Sequence, residues 1–186
     1  MLNAILSPSI DFDSKNWLNY VTVKPDGQRL GIIDGVIKAL KGTGIWFKFD
    51  ALWFLAAHDS QAACLNWKNP ATYTLTPVNS PTFTIDRGYQ GNGTSSYLNT
   101  NFNFNTNGVN FTLNNASLGV YSRTNLAQNN RVDIGVADTL LQGRTGSNVS
   151  AIRINQAAAD GATVADSLGL MIPQRNTSSE LVYYKN

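Results

Sequence analysis

The sequence predicts a mainly β protein, an antiparallel sandwich or barrel preceded by an N-terminal arm and two or three short helices. Three observations carry this. After Pro70 the chain breaks into short runs rich in Thr, Val, Ile, Leu and aromatics (YTLTPV, TFTI, SYLNT, ASLGVYS, RVDIGV, AIRIN, SLGLMIP, ELVYY), separated by Asn- and Gly-rich turns with no helix between them. Apolar residues spaced three and four apart are confined to residues 32–69. Hydrophobic residues make up 42% of the chain but charged ones only 14%, against roughly 25% in an average soluble domain, so a sizeable core sits under an uncharged polar surface. At 186 residues the chain is long enough for one β domain behind a small N-terminal module.

Residues 1–31 read as an arm. NYVTV alternates weakly and runs into KPDG, where Pro25 and Gly27 suit the second and fourth positions of a turn, giving a loose hairpin or an extended segment. Residues 32–69 form the helical segment. Ile33, Val36, Ile37 and Leu40 share one helical face, Asp34 lies in the first turn, and Gly42 and Gly44 supply the stop. A second helix is expected from Gly44, with Ile45, Phe49, Leu52, Trp53 and Ala56 on one side, while Trp46, Phe47 and Phe54 make the rest of its surface apolar. A helix apolar nearly all round has to be covered, either by the β domain or by another subunit. Trp46, Phe47, Trp53 and Phe54 are accordingly the candidate assembly interface. Asp59 or Ser60 is placed to cap a third short helix running to Leu65.

Residues 70–186 are the β domain. The stretch DRGYQGNGTSSYLNT reads as a strand, turn, strand unit at its start, with Gly91, Asn92 and Gly93 able to take positive φ. Alternation puts Leu118, Val120 and Ser122 on one side of ASLGVYSR, and Ile152 and Ile154 inward with Arg153 in solvent. NFNFNTNGVNF alternates too, but its asparagines make it a loop or an edge.

Several function classes are disfavoured. The net charge of +2, with no Lys/Arg run interleaved with aromatics, argues against nucleic-acid binding. No stretch reaches the roughly 18 apolar residues of a membrane span, and no basic, apolar leader opens the chain, so a soluble protein made in the cytoplasm is expected. A lone cysteine, Cys64, gives no internal disulfide and no thiolate zinc site; within AACL it reads as a small buried hydrophobe, and only if exposed as an intermolecular disulfide partner. His58 beside Asp59 lacks any nucleophile motif and reads as a helix-capping junction rather than a general base. Asp133 and Asp138 flank a strand without the dense oxygen run of a calcium loop, and GYQGNG opens no helix that would cradle a phosphate. No cofactor or metal is expected.

The series ALWFLAAHDSQAACLNW, YTLTPVNSPTFTIDRGYQGNGTSSYLNTNFN and ASLGVYSRT resembles structural and uncharacterised proteins of tailed bacteriophages and prophages. There a short helical segment precedes a jelly roll similar to the concanavalin-like, laminin-G-like lectin fold. The resemblance covers roughly residues 45–186. It rests on the opening strand of type Gly-X-Gly-X-X-X-Tyr-Leu, the strand ASLGVYSR, and LVYYKN as counterpart of a strand ending Tyr-X-Asn-Gly. It implies a virion structural protein, a tail, fibre or decoration component, partnered by other virion subunits and forming a homo-oligomer. In such proteins the Tyr-X-Asn strand is followed by further strands, whereas this sequence reaches Asn186 directly after it, so the β-sandwich is expected to be incomplete or completed by a neighbour.

Hydrolases of that fold resemble one another in a Glu-X-Asp-X-X-Glu strand; the present chain has a single glutamate, Glu180, so an enzyme is not expected. Host-glycan recognition, or even a depolymerase, is the alternative. The loop YSRTNLAQNNR supplies an aromatic ring and planar polar groups, and Tyr121, Arg123, Asn125, Asn129 and Arg131 are its candidate glycan-binding residues.

Overall fold

The computed structural model describes residues 9–186. The chain divides into two compact units, the first ending at Asn107 and the second running Gly108–Asn186, rather than at the 69/70 junction expected from the switch in hydrophobic period. Strands and a few short helices make up the fold, and every strand pair is antiparallel.

In the first unit, residues 9–31 are largely helical instead of an extended arm; the part of the expected arm ahead of Ser9 lies outside the described residues. Helix α1 (Phe12–Tyr20) starts where the Asp11 carboxylate accepts from the Asp13 N–H, and α2 (Gly27–Gly42) where Asp26 accepts from the Arg29 N–H. KPDG is therefore a helix start and not a hairpin turn: the Asp26 side chain satisfies an N-terminal donor, and α2 begins five residues ahead of Ile32. Ion pairs join the two helices, with Lys41 reaching both Asp11 and Asp13 at 2.6 Å and the Asp11 N–H donating to Asp34 at 2.7 Å.

The expected second helix shrinks to one 3₁₀ turn, Ile45–Lys48, after Gly44 at φ +76°. The chain beyond it is irregular because its polar groups find partners elsewhere. Leu52 donates to the side chain of fully buried Asn66, Leu52 C=O accepts from the Trp67 N–H, and the Trp53 indole donates to Tyr73 C=O. Helix α3 (Ser60–Cys64) forms as expected, with Asp59 capping the Gln61 and Ala62 N–H groups. Trp17, Val21, Ile33, Ile37, Trp46, Ala62, Leu65 and Trp67 make one core.

Two small hairpin-like sheets complete this unit. Strand β1 (Thr76–Val78) pairs with β4 (Tyr97–Asn99), and β2 (Thr82–Thr84) with β3 (Gly88–Gln90). TFTI thus pairs with GYQ and not with SYLNT. Between β3 and β4 the turn is organised by Asn92, whose Oδ1 accepts from the N–H groups of Thr94, Ser95 and Ser96, with Gly93 at φ +76°. The Asn-rich stretch beyond β4 ends in a single helical turn, α4 (Phe104–Asn107).

The second unit holds two sheets. One joins β11 (Leu181–Lys185), β10 (Gly169–Arg175), β5 (Ala116–Ser117) and β6 (Val120–Ser122); the other joins β7 (Ile134–Val136), β8 (Thr139–Gln142) and β9 (Ala151–Arg153). Met171, Leu118, Val120, Leu181 and Tyr183 of the first sheet pack with Leu141, Ile152 and Ile134 of the second in one cluster. ASLGVYS pairs with β10 in two pieces because Pro173 stands opposite the break and has no N–H to give; its C=O accepts from Leu118 N–H. The expected inward faces of Leu118, Val120, Ile152 and Ile154 are found. Arg175, 7% exposed, ties β10 to its surroundings by donating to the C=O groups of Ile154 (2.7 Å) and Ser178 (2.8 Å) and to Gln156 Oε1.

Candidate functional site

Strand β6 decides what the loop after it can present. Successive side chains point to opposite faces of a strand, so Val120 and Ser122 face the interior side and Tyr121 the other. The five candidate glycan residues are therefore not one site. On the interior side a shallow pocket of about 100 Å³ is lined by Ser122, Leu126, Gln128, Arg131, Asp133 and Ser167, among others. Arg131 lines it. Asn125 and Asn129 fasten the loop instead: Asn125 Oδ1 accepts from Arg144 Nη1 (2.9 Å) and from the Ser167 N–H (3.3 Å), and Asn129 Oδ1 from the Gly146 N–H (2.9 Å). Arg123 is exposed, and Tyr121, 67% exposed, lies on the far face of the sheet.

The pocket is built by side chains that brace one another. Ser167 Oγ donates to Thr124 C=O at 2.8 Å and accepts from the Leu126 N–H at 2.9 Å, while the Arg144 guanidinium is divided between Asn125 and Asn148. Asp133 keeps an open edge to solvent, yet its carboxyl turns inward to accept from the buried Gly143 N–H at 2.6 Å. Burial pushes that carboxyl above the ordinary aspartate range, and the Gly143 hydrogen bond only partly opposes this. Asp133 is thus a residue next to β7 whose carboxyl is taken by the Gly143 backbone, and Asp138 sits in the β7–β8 turn. No group of three His, Cys, Asp or Glu side chains among the described residues could hold a metal ion.

The face carrying Tyr121 also carries Leu170 and Ile172 from β10 and Tyr184 from β11, in direct cross-strand register: Leu170 opposite Tyr121, Ile172 opposite Tyr184. Tyr184 is 54% and Leu170 38% exposed. Sequence reasoning missed this face, because SLGLMIP offers two apolar registers and only the pairing reveals that Met171 and Pro173 take the interior one.

The candidate assembly interface is also redistributed. Trp46 is 2% exposed and belongs to the core of its own unit, where Lys68 Nζ stands 4.5 Å from its ring centroid. Trp53 is half-buried with its indole N–H satisfied, and Phe54 stacks on Trp67 at 4.1 Å while keeping an open edge. Phe47 alone of the four is broadly open, at 67%. The expectation that these rings need a partner's cover fails for Trp46, because α1, unforeseen in the sequence, brings Trp17 into the same core. Cys64 is buried, its Sγ 3.4 Å from Tyr89 Oη, and burial raises its pKa, as expected of a small hydrophobe. His58 Nε2 donates to Val23 C=O at 2.6 Å, a structural tie.

No protein-family model, curated protein or solved structure matches this chain.

Proposed function

We propose that the chain is a structural subunit of a tailed-bacteriophage or prophage particle, assembled with its own copies and with other virion subunits, and that residues 108–186 are a reduced concanavalin-like jelly roll presented on that particle. The observation that carries this reading is the build of the chain in two units with separate cores, a tryptophan-rich helical one and a β one whose two antiparallel sheets close on Met171, Leu141 and Ile152. Such a division suits an anchoring part and a displayed part, and it agrees with the residues that resemble phage proteins. Phe47 and the open edge of Phe54 remain the candidate contacts of the anchoring part; Trp46 contributes stability only.

The test is direct. Gradient-purified particles from a host carrying this sequence should contain its peptides at fixed stoichiometry, and antibodies raised against residues 108–186 should decorate intact particles. Particles that lack the chain would sink the reading.

A further inference from the structure

The outer face of the β5/β6–β10–β11 sheet is a grid of nine positions, eight of them bearing side chains, in three cross-strand rows. Ser117, Gln174 and Val182 form one row; Gly119, Ile172 and Tyr184 the next; Tyr121, Leu170 and Asn186 the third. None of the nine is charged and none is buried. Lys185, of opposite parity, is held by Asp166 at 2.9 Å, and Arg131 serves the pocket on the other face.

Gly119 shapes the middle. A Cβ there would stand 3.3 Å from Ile172 Cγ1, so any side chain would ride over the isoleucine, and no positive φ demands glycine at this position. The missing side chain leaves a level floor of Gly119, Ile172 and Leu170. Tyr121 and Tyr184 stand on opposite sides of β10 and two residues apart along it, roughly 12 Å from Cα to Cα by ordinary strand spacing. Neutral polar groups border the floor: at one end Ser117 and Gln174, whose Nε2 donates to Asn176 Oδ1 at 2.6 Å and whose Oε1 is a further acceptor, and at the other Asn186, whose Oδ1 accepts from the Leu170 N–H at 2.9 Å and whose Nδ2 is a further donor.

We propose that this trough binds an uncharged oligosaccharide, a sugar ring lying on the floor between the two tyrosines. A pyranose offers an apolar C–H face and a rim of hydroxyls, and the grid offers their complement: flat aliphatic and aromatic surface in the middle, neutral hydrogen-bonding groups at the rim. The grid itself places no cationic side chain against a bound sugar, which disfavours acidic sugars on the floor, whose carboxylate would be desolvated there; Arg123, exposed two residues beyond Tyr121, is the nearest cation along β6. The inference needs only this sheet and stands apart from the particle reading.

The full chain should be applied to an array of uncharged hexose and N-acetylhexosamine oligosaccharides alongside uronic- and sialic-acid-bearing ones. Uncharged glycans should be retained, with affinity falling about tenfold or more in Tyr121→Ala and Tyr184→Ala, little in the phenylalanine variants, and not at all in Arg131→Gln. Unchanged melting of the alanine variants guards against a folding defect. Four results would each overturn the proposal: no uncharged glycan held at millimolar concentration, retention undiminished in both alanine variants, binding of acidic glycans alone with loss in Arg131→Gln, or a concentration-dependent dimer abolished by the same tyrosine changes. A chain found in particles but silent on the array loses this inference alone; one active on the array but missing from particles loses only the particle reading.

Discussion

The helical unit and the β unit hold themselves together by different chemistry. In the first, three of the four tryptophans interlock in one core, Trp17 and Trp67 with centroids 5.8 Å apart, and four of the five ion pairs among the described residues lie there. In the second, the cluster is made of aliphatic side chains, Met171 and half-buried Tyr183, and the loops are fixed by neutral amides and hydroxyls of Asn125, Asn129, Asn148 and Ser167, with Arg144 and Arg175 meeting amide and carbonyl oxygens instead of carboxylates. Short helices supply no long-range hydrogen bonds of their own, so they need large rings and charged clamps to dock. Short strands pair by backbone and need their connecting loops pinned.

The largest expected effect tests whether these cores are independent. Trp46→Ser should cost about 3–5 kcal/mol and melt the helical unit, not merely release a partner; Met171→Ala should cost about 2–5 kcal/mol in the β unit. All four tryptophans lie at or before Trp67, so tryptophan fluorescence reports the helical unit alone. Calorimetry showing a single transition lowered equally by both changes would erase the distinction.

Glycines sharpen the comparison at smaller scale. In the β7–β8 hairpin, Gly135 has φ +105°, and a Cβ there would lie 2.2 Å from Thr139 C=O, so Gly135→Ala should cost about 2–3 kcal/mol. In α2, nothing lies within 4 Å of a Cβ added at Gly31 or Gly35, so alanine at either should stabilise by about 0.5–1 kcal/mol. Denaturant midpoints measure both, and a loss at Gly31 would mean that its face is covered in the native protein.

The smallest effect is one of pH, and its sign at Asp11 and Asp34 of the first unit is opposite to that at Asp133 of the second. Burial pushes the Asp11 and Asp34 carboxyls up, but hydrogen bonds from Lys41 to Asp11 and from Lys38 to Asp34, with backbone N–H donors, outweigh it and leave both below the ordinary value of 3.8. Their stabilisation is therefore complete above that value and lost as pH falls through the lowered folded one. Asp133 is raised by burial, so its own contribution to the β unit is lost as pH climbs from 3.8 through its folded pKa, opposite in sign to that of Asp166, which the Lys185 hydrogen bond lowers; Asp133→Asn should remove the Asp133 loss while keeping an acceptor for Gly143. Acid titration should thus loosen α1 from α2, read by fluorescence, before it harms the sheets. The reverse order would contradict the assignment.

Much of this fold was legible because its signals are local. Asp59 before SQAAC is a cap whatever surrounds it, and the alternation in AIRIN fixes Ile152 and Ile154 inward. Other features were hidden by competing local signals. KPDG spells a turn as well as it spells a capped helix start, and only the Asp26 to Arg29 hydrogen bond chooses. IWFKFDALWF reads as a helix, yet buried Asn66 and Tyr73, more than ten residues away, take its polar groups. The candidate site divided for the same reason: Tyr121 and Arg131 look like neighbours in one loop, but a single pleat sends Tyr121 to one face of the sheet while Ser122 opens the pocket on the other.

By itself the sequence determined the short antiparallel strands, the uncharged polar surface and the capped helix α3, all consequences of side-chain period and turn chemistry within a few residues. Tertiary structure alone decided that the β-rich stretch up to Asn107 belongs with the helices, that Trp46 is interior, and that Leu170 and Ile172 rather than Met171 face outward. Those outcomes depend on which distant backbone groups and apolar faces meet, and a chain with two equally apolar registers leaves that choice to the packing of the whole.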